Sequence, residues 1–297
     1  MPPPWPSGSA QWFCTPSGGA ERAAAVAPAA VPAAAAAVRP APGRKAVTNE
    51  TRFDGLGRVY AAARPLYPDA LFDALHSRGL LHAQDDADDV GAGTGLFSAQ
   101  LARRGRSVRA IEPNGDMRRA GQNACRSVPG AVFSAGTAEH TGLPDGSVDL
   151  VTAAQAFHWF DRAAFRQECR RILRPGGRVL LVWNIRDETD PLICENRTVN
   201  ARFCPGFHGF TDGLDLTDTA QFDAFLTGGY TMLTLPNRLS YDEPAFIARN
   251  LSSSYALRPG ADGYDAYIQA LRTLFRRFES GGTVSYPYST RCFAGTL

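Results

Sequence analysis

The sequence lacks a long apolar run, a strong charge of one sign and any cysteine pair with metal-binding spacing. Without a run of about 18 apolar residues, no transmembrane helix is expected. The 31 basic and 29 acidic side chains leave a net charge of +2, whereas nucleic-acid-binding proteins usually show a clear basic excess. The six cysteines include no C-x-x-C motif, which disfavours a zinc module or a disulfide scaffold. We therefore expect a cytoplasmic protein with reduced thiols, no metal, and neither a membrane nor a nucleic acid as partner.

Residues 1–48 differ in composition from the rest of the chain. Pro28, Pro32 and Pro40 interrupt a run of alanines, and proline both removes a backbone donor and breaks helices. This composition predicts a disordered tail. Because the tail is poor in acidic residues, it could be a transit peptide. It could equally reflect an over-long predicted start, since folded-looking sequence begins near Thr51.

Helical and strand patterns alternate along residues 49–184. Asp86–Val90, Ser107–Ile111, Ala131–Ser134, Val148–Ala153 and Val179–Trp183 are predicted as strands. Helices are predicted over 68–77, 96–104, 117–125 and 163–173. Strand alternating with helix predicts an α/β fold with a doubly wound, mostly parallel sheet. Residues 185–297, with helices near 222–226, 245–251 and 264–278 and strands at 231–235 and 283–293, are expected to complete the sheet and form a cap.

A glycine-rich turn follows the first predicted strand. The segment D-V-G-A-G-T-G spans Asp89–Gly95, and glycines let the backbone turn tightly and approach a ligand closely. Glu112 stands at the end of the next predicted strand, where a carboxylate can accept hydrogen bonds from ribose hydroxyls. The dinucleotide fingerprint G-x-G-x-x-G would need a small residue at position 96, and Leu96 stands there instead. This spacing disfavours a nicotinamide-dependent oxidoreductase.

Five segments, in order, resemble the motifs of class I S-adenosyl-L-methionine-dependent methyltransferases, in the small-molecule branch called methyltransferase type 11. They are D-V-G-A-G-T-G (89–95), A-I-E-P-N-G-D-M-R (110–118), G-T-A-E-H-T-G-L-P-D-G-S-V-D (136–149), A-Q-A-F-H-W-F (154–160) and I-L-R-P-G-G (172–177). The resemblance covers roughly residues 53–184. It implies a seven-stranded Rossmann-like sheet within a methyltransferase domain over 49–297, with S-adenosyl-L-methionine as cofactor and a small-molecule methyl acceptor.

The resemblance also implies which residues contact the cofactor around the first two strands. Asp89 would orient the ammonium group at the methionine end. Gly91, Gly93 and Gly95 would let the backbone pass beneath the methionyl-ribose part, and Glu112 would hold the ribose hydroxyls.

Further implied contacts come from later segments and from the N-terminal stretch. Residues near the adenine would be Pro113, Met117, Ala138 and Glu139. Gln155 and Ala156 would face both the sulfonium and the acceptor. Tyr60 and Arg64, four positions apart and on one face if the stretch is helical, resemble part of the family's N-terminal lid. Arg64 could then reach the cofactor carboxylate.

Two positions depart from the family pattern. Asp88 precedes Asp89 where an apolar residue is usual, and a buried carboxylate must find a partner, shift its pKa or weaken the strand. Thr137 stands where the family often has an aspartate that reads the adenine amino group. The acid-rich first strand keeps open a catalytically silent, methyltransferase-like binding or regulatory protein.

No catalytic residue follows firmly from the sequence. Methyl transfer from a sulfonium is an in-line displacement in which the protein mainly aligns the reactants and excludes water. His158, between aromatic residues, is a weak candidate for a general base and more often would be a packing residue. Phe157, Trp159 and Phe160 could line the substrate pocket or pack beneath the next helix. A nucleic-acid methyltransferase is disfavoured because A-Q-A-F-H-W replaces an N/D-P-P-Y-type motif.

Overall fold

Strands and helices alternate through the residues that the computed structural model describes, which are 64–211, 215–216 and 218–297. Tyr60 and the predicted tail over 1–48 lie outside these residues. The strands are β1 (Asp86–Val90), β2 (Ser107–Ile111), β3 (Ala131–Ser134), β4 (Val148–Ala154), β5 (Leu173–Arg186), β6 (Tyr230–Tyr241) and β7 (Val284–Gly295). The helices are α1 (Asp69–Ser77), α2 (Leu96–Ala102), α3 (Gly115–Ala124), α4 (Arg162–Ile172), α5 (Pro191–Phe203), α6 (Ala220–Phe225), α7 (Glu243–Leu251) and α8 (Tyr264–Phe278), with a short 3-10 helix at Phe157–Trp159.

The described strands form one seven-stranded sheet in the order β3-β2-β1-β4-β5-β7-β6. The pairs from β3 to β5 are parallel, whereas β7 runs antiparallel to both β5 and β6. The predicted doubly wound, mostly parallel sheet is therefore confirmed. The strand order reverses between β1 and β4, and ligands bind at such a switch point, beyond the carboxyl ends of the strands.

The acid-rich strand β1 forms because most of its carboxylates have partners. Asp85, just before the strand, accepts a hydrogen bond from Arg178 at 2.6 Å. Asp86 pairs with Arg174 at 3.0 Å. Asp88 is fully buried, and neither of its carboxylate oxygens has a hydrogen-bond partner among the described residues. Burial raises its pKa well above the ordinary value. Of the three outcomes expected for a buried Asp88, a partner, a shifted pKa or a weakened strand, the structure favours the shifted pKa.

Two faces of the sheet carry separate apolar clusters. One joins α1 and α2 to the sheet around Leu71, Phe72 and Leu101. The other lies under α4 and α6 and contains Phe157 and Trp183. Burial on both faces explains the continuous apolar run in β5.

A third cluster forms among helices that follow β5. It brings α5, α7 and α8 together with the start of β7 around buried aromatic residues such as Phe246, Tyr267 and Tyr286. Among the described residues no helix is long and apolar enough to cross a membrane.

Several elements extend beyond the sequence prediction or were missed by it. Strand β5 begins at Leu173, so it runs through the Pro-Gly-Gly segment that we predicted to separate it from α4. Strand β6 continues to Tyr241 because it pairs with β7 along its whole length. Helix α5 was not predicted, although Asp190 caps it and Pro191 opens it. Its buried face includes Asn196 and Asn200, so the usual apolar spacing is absent.

Candidate active site

A cavity of about 360 Å³ lies beyond the carboxyl ends of β1, β2 and β4. Its wall combines the glycine turn after β1 with the segments that follow β2, β3 and β4. The residues that line it are Arg64, Pro65, Tyr67, Gly91, Ala92, Gly93, Thr94, Leu96, Phe97, Glu112, Pro113, Met117, Thr137, Ala138, Glu139, Ala154, Gln155, Ala156, Trp159 and Phe160. Ten of the fourteen residues that the sequence singled out as candidates therefore share this wall.

The glycine turn brings bare backbone to the cavity. Gly91 has φ of +66°, a left-handed conformation that side chains rarely adopt. A Cβ atom on Gly91 would lie 2.7 Å from the Cβ of Ala156, which has no rotamer to move away. Gly93 has φ of +58° and faces the end of Met117, 3.4 Å from where its own Cβ would stand. The turn needs glycine at both positions for its shape, and at Gly91 also for space.

Glu112 ties the end of β2 to the glycine turn. Its Oε2 accepts a hydrogen bond from the backbone N–H of Gly93 at 2.8 Å, and its Oε1 accepts one from Asn114 at 2.9 Å. The side chain is 8% exposed and lines the cavity. Burial raises the pKa of this carboxyl although both backbone hydrogen bonds stabilise the charged form. A carboxylate oxygen accepts more than one hydrogen bond, so Glu112 keeps acceptor capacity for a ligand.

Asp89 and Gly95 lie behind the wall. The two carboxylate oxygens of Asp89 accept hydrogen bonds from Ser98 at 2.5 Å and from Thr152 at 2.8 Å. Burial raises the pKa of Asp89 to about 6. Gly95 caps α2 in a left-handed conformation and packs against Phe133. In this arrangement Asp89 fixes the start of α2 against β4, and the contact with the cofactor ammonium group that the resemblance implies stays a prediction.

Pro113, Met117, Ala138 and Glu139 all line the cavity. The contact with the adenine that the resemblance implies for them stays a prediction. Met117 is buried at the start of α3, which Asn114 caps through the N–H groups of residues 116 and 117. Glu139 accepts a hydrogen bond from the backbone N–H of Asp161 at 3.0 Å. The segment after β3 is thereby held against the start of α4.

Gln155 stands at the carboxyl end of β4 in a strained conformation. Its φ of +61° is the only positive value among the described residues other than glycine, and this region is unfavourable for a side chain. Its backbone N–H donates to Val182 at 2.8 Å, and its Nε2 donates to the carbonyl of Asn184 at 3.0 Å. Such strain is often found at functional sites.

The aromatic residues that follow β4 lie in two different surroundings, the apolar core and the wall of the larger cavity. Phe157 is fully buried and packs at 4.8 Å against Phe225, so it belongs to the core. Trp159 and Phe160 line the cavity. Phe157 therefore packs beneath the next helix, and the alternative, that these aromatics line a substrate pocket, stays a prediction.

Comparisons with known proteins agree on one family. A family model for a methyltransferase domain matches residues 88–181. An uncharacterized methyltransferase of Mycobacterium tuberculosis is 44% identical over 243 residues, which cover 80% of this chain and 93% of that relative. The chain belongs to the class I S-adenosyl-L-methionine-dependent methyltransferases, in the type 11 branch.

Solved structures share the fold of this methyltransferase. A type II methyltransferase from Anaeromyxobacter dehalogenans superposes with a TM-score of 0.55 at 27% identity, covering 78% of this chain and 97% of that one. A methyltransferase from an antibiotic biosynthesis pathway in Anabaena variabilis gives a TM-score of 0.55 at 21% identity and covers 78% and 98%. The second similarity shows the fold alone.

A second, smaller cavity of about 70 Å³ adjoins the first in this methyltransferase. Arg64, Gln155 and Trp159 line both cavities. The remaining wall comes from His158, from the end of β5 (Trp183, Asn184, Ile185 and Arg186), and from Gly209, Phe210, Thr211, Ser253, Ser254 and Tyr255. His158 thus faces the smaller cavity.

Most of this second wall was not predicted. The sequence placed an acceptor pocket in residues 185–297 without naming any residue there. Arg186 ends β5, three residues beyond the predicted end of that strand. Gly209, Phe210, Thr211, Ser253, Ser254 and Tyr255 lie in loops and belong to no motif. A longer strand prediction would have placed Arg186 at the carboxyl edge of the sheet, where ligands bind.

Proposed function

We propose that this methyltransferase binds S-adenosyl-L-methionine in the larger cavity and transfers its methyl group to a small molecule in the smaller one. The observation that carries the proposal is the shared wall: Arg64, Gln155 and Trp159 line both cavities. In-line displacement needs a donor and an acceptor site in direct contact, with water excluded between them. Two cavities that share wall residues support such an arrangement.

The residues of the larger cavity fit the cofactor. S-adenosyl-L-methionine supplies an activated methyl group on a sulfonium centre. Glu112, held by the N–H of Gly93, has free acceptor capacity for ribose hydroxyls. Gly91 and Gly93 line the cavity in left-handed conformations, so the turn presents backbone without side chains to a ligand. Met117 and Pro113 offer apolar surface for a planar base.

Arg64 would bind the carboxylate at the other end of the cofactor. It lines both cavities and donates a hydrogen bond from Nη2 to the carbonyl of Ser252 at 3.1 Å. Guanidinium groups bind carboxylates through charge-assisted hydrogen bonds. Tyr60, which the resemblance places beside it, lies outside the described residues.

The protein's contribution to the reaction is alignment and exclusion of water. The leaving group is already activated, so a general base is not required. His158 lines the smaller cavity and remains the candidate if the acceptor carries a proton that must leave. The volume of the smaller cavity, about 70 Å³, favours a small acceptor or a small reacting group. The described cysteines are free thiols, which is typical of proteins in the reducing cytoplasm.

Isothermal titration of the full chain with S-adenosylhomocysteine and, separately, with NAD tests the proposal. We expect micromolar binding of the first ligand alone. Glu112→Ala should abolish it, whereas Glu195→Ala, a half-exposed glutamate paired with Arg277, should leave it unchanged. Binding of NAD instead would point to an oxidoreductase. Failure of the folded protein to bind either ligand would favour the catalytically silent alternative.

A further inference from the structure

Arg186 is a buried cation without an anionic partner. It is 8% exposed and lines the smaller cavity. Its Nε donates to the hydroxyl of Tyr286 at 3.0 Å, and the ring of Phe210 lies 4.1 Å from the guanidinium carbon. Its Nη1 and Nη2 make no hydrogen bond with any described residue, and no described carboxylate forms an ion pair with it. Buried charges are normally paired, so this arrangement leaves a site for an anion.

A second buried guanidinium increases the positive charge behind the cavity. Arg249 is 2% exposed and donates from Nε to the hydroxyl of Tyr288 at 2.7 Å. It too has no carboxylate partner within the described part of the chain. Tyr288 lies between the two arginines, with the guanidinium carbons of Arg186 and Arg249 at 5.9 and 5.8 Å from its ring. Burial alone would raise the pKa of Tyr288, but the two guanidinium groups hold it below its ordinary value.

Two further donors that lack acceptors belong to residues in the wall of the same cavity. The buried hydroxyl of Tyr255 and the buried Nε1 of Trp183 have no hydrogen-bond partner among the described residues. Both residues line the smaller cavity with Arg186. A carboxylate only accepts hydrogen bonds, and it can accept several at once, so it complements a wall of donors. Phe210 covers one face of the guanidinium, and carboxylates bind the edge of such a group with two parallel hydrogen bonds.

We propose that the methyl acceptor carries a carboxylate group and that Arg186 binds this group in the smaller cavity, with Tyr255 as a second donor. This inference rests on the methyl transfer proposed above, because it assigns the smaller cavity to the acceptor. Arg186 acts as a binding and specificity residue. It selects acceptors by their charge, and the reaction itself does not require it to exchange a proton.

The test is a fluorescence titration of the full chain with butyrate, with its neutral analogue butyramide and with inorganic phosphate. Trp159 and Trp183 line the smaller cavity and report on its occupancy. Each titration is run with and without saturating S-adenosylhomocysteine. We expect butyrate to bind at least tenfold more tightly than butyramide. Arg186→Gln should remove this preference, and Arg276→Gln, an exposed arginine, should keep it.

The outcomes separate this inference from the proposed function. Equal affinity for butyrate and butyramide, or an unchanged preference in Arg186→Gln, would overturn the inference even where S-adenosylhomocysteine binds. Binding of phosphate in place of butyrate would assign the site to a phosphate-bearing ligand and overturn the proposal of a carboxylate-bearing acceptor. Butyrate preference without any S-adenosylhomocysteine binding would support the anion site and count against methyl transfer. If Arg186→Gln does not fold, the wild-type preference and a threefold or greater loss in Tyr255→Phe decide the question.

Discussion

The carboxylate of Glu112 holds the glycine turn through a 2.8 Å hydrogen bond from the backbone N–H of Gly93. The same side chain accepts from Asn114 with its other oxygen. One residue therefore fixes both the turn after β1 and the start of α3, and it also lines the cavity. Because a carboxylate is needed for both hydrogen bonds, the shape of the cavity and the recognition of its ligand depend on the same charge.

Glu112→Gln should weaken binding of S-adenosylhomocysteine by roughly tenfold to a hundredfold, which corresponds to about 1–3 kcal/mol. The amide can accept one backbone hydrogen bond, but its NH2 group faces the other donor. Burial raises the pKa of Glu112. As the solution is acidified, the affinity of the wild type should therefore begin to fall at a higher pH than it would with an exposed glutamate. Dissociation constants measured by titration calorimetry from pH 8 to pH 5 test both points. A pH profile shared by wild type and variant would contradict this role.

Gly91→Ala should destabilise the protein more than Gly176→Ala does. Both glycines have positive φ, +66° and +79°, so each substitution carries the left-handed penalty of about 1–2 kcal/mol. Only at Gly91 does the new Cβ meet another atom, at 2.7 Å from Ala156, whereas Gly176 has open space. The extra cost should be about 1–3 kcal/mol and should come with weaker binding of S-adenosylhomocysteine. Urea unfolding of both variants measures the difference, and equal losses would contradict the close approach.

Asp88→Asn should stabilise the protein at neutral and alkaline pH. Burial raises the pKa of Asp88 in the folded state. Asp89 raises it further, Arg109 lowers it, and Glu168 adds a smaller increase. The folded state then retains this proton while the unfolded chain, with a pKa near 3.8, loses it. Stability therefore falls as the pH rises from about 4 through the raised pKa.

The asparagine variant cannot lose a proton, so it avoids this loss of stability. Its free energy of unfolding should exceed that of the wild type by about 1–3 kcal/mol at pH 8 and by almost nothing at pH 4. Denaturant unfolding at both pH values provides the measurement. Asp86→Asn is the matched control, because Asp86 lies on the same strand and pairs with Arg174. A gain that is equal at the two pH values would show that Asp88 does not hold a proton in the folded protein.

The sequence predicted the parallel part of the sheet, because local signals determine it. It also singled out half of the residues that line the larger cavity, most of them through the family resemblance. Gly91, Gly93 and Glu112 lie in a strand–turn–helix unit whose spacing is visible in the chain. The sequence could not reveal that both oxygens of Asp89 are taken by Ser98 and Thr152, since those contacts depend on how helix α2 meets β4.

The smaller cavity was hidden for a different reason. Arg186 ends β5, whereas Phe210 and Tyr255 come from two loops that follow helices, so the three line one cavity only in the folded chain. Helix α5 was hidden because Asn196 and Asn200 replace apolar residues on its buried face. Polar contacts between distant residues leave no periodic pattern in a single sequence.

Tyr267→Phe should destabilise the protein by about 1–3 kcal/mol, because it leaves the buried Oδ1 of Asn200 without its donor. The hydroxyl of Tyr267 donates to that oxygen at 2.6 Å, and both side chains are fully buried. Tyr264→Phe, on the same helix and half-buried, should change stability by less than about 0.5 kcal/mol. Pairing Tyr267→Phe with Asn200→Leu in a double-mutant cycle isolates the interaction. Thermal and urea unfolding should give a coupling free energy of about 1 kcal/mol or more, and strictly additive losses would show that this hydrogen bond does not hold α5 against α8.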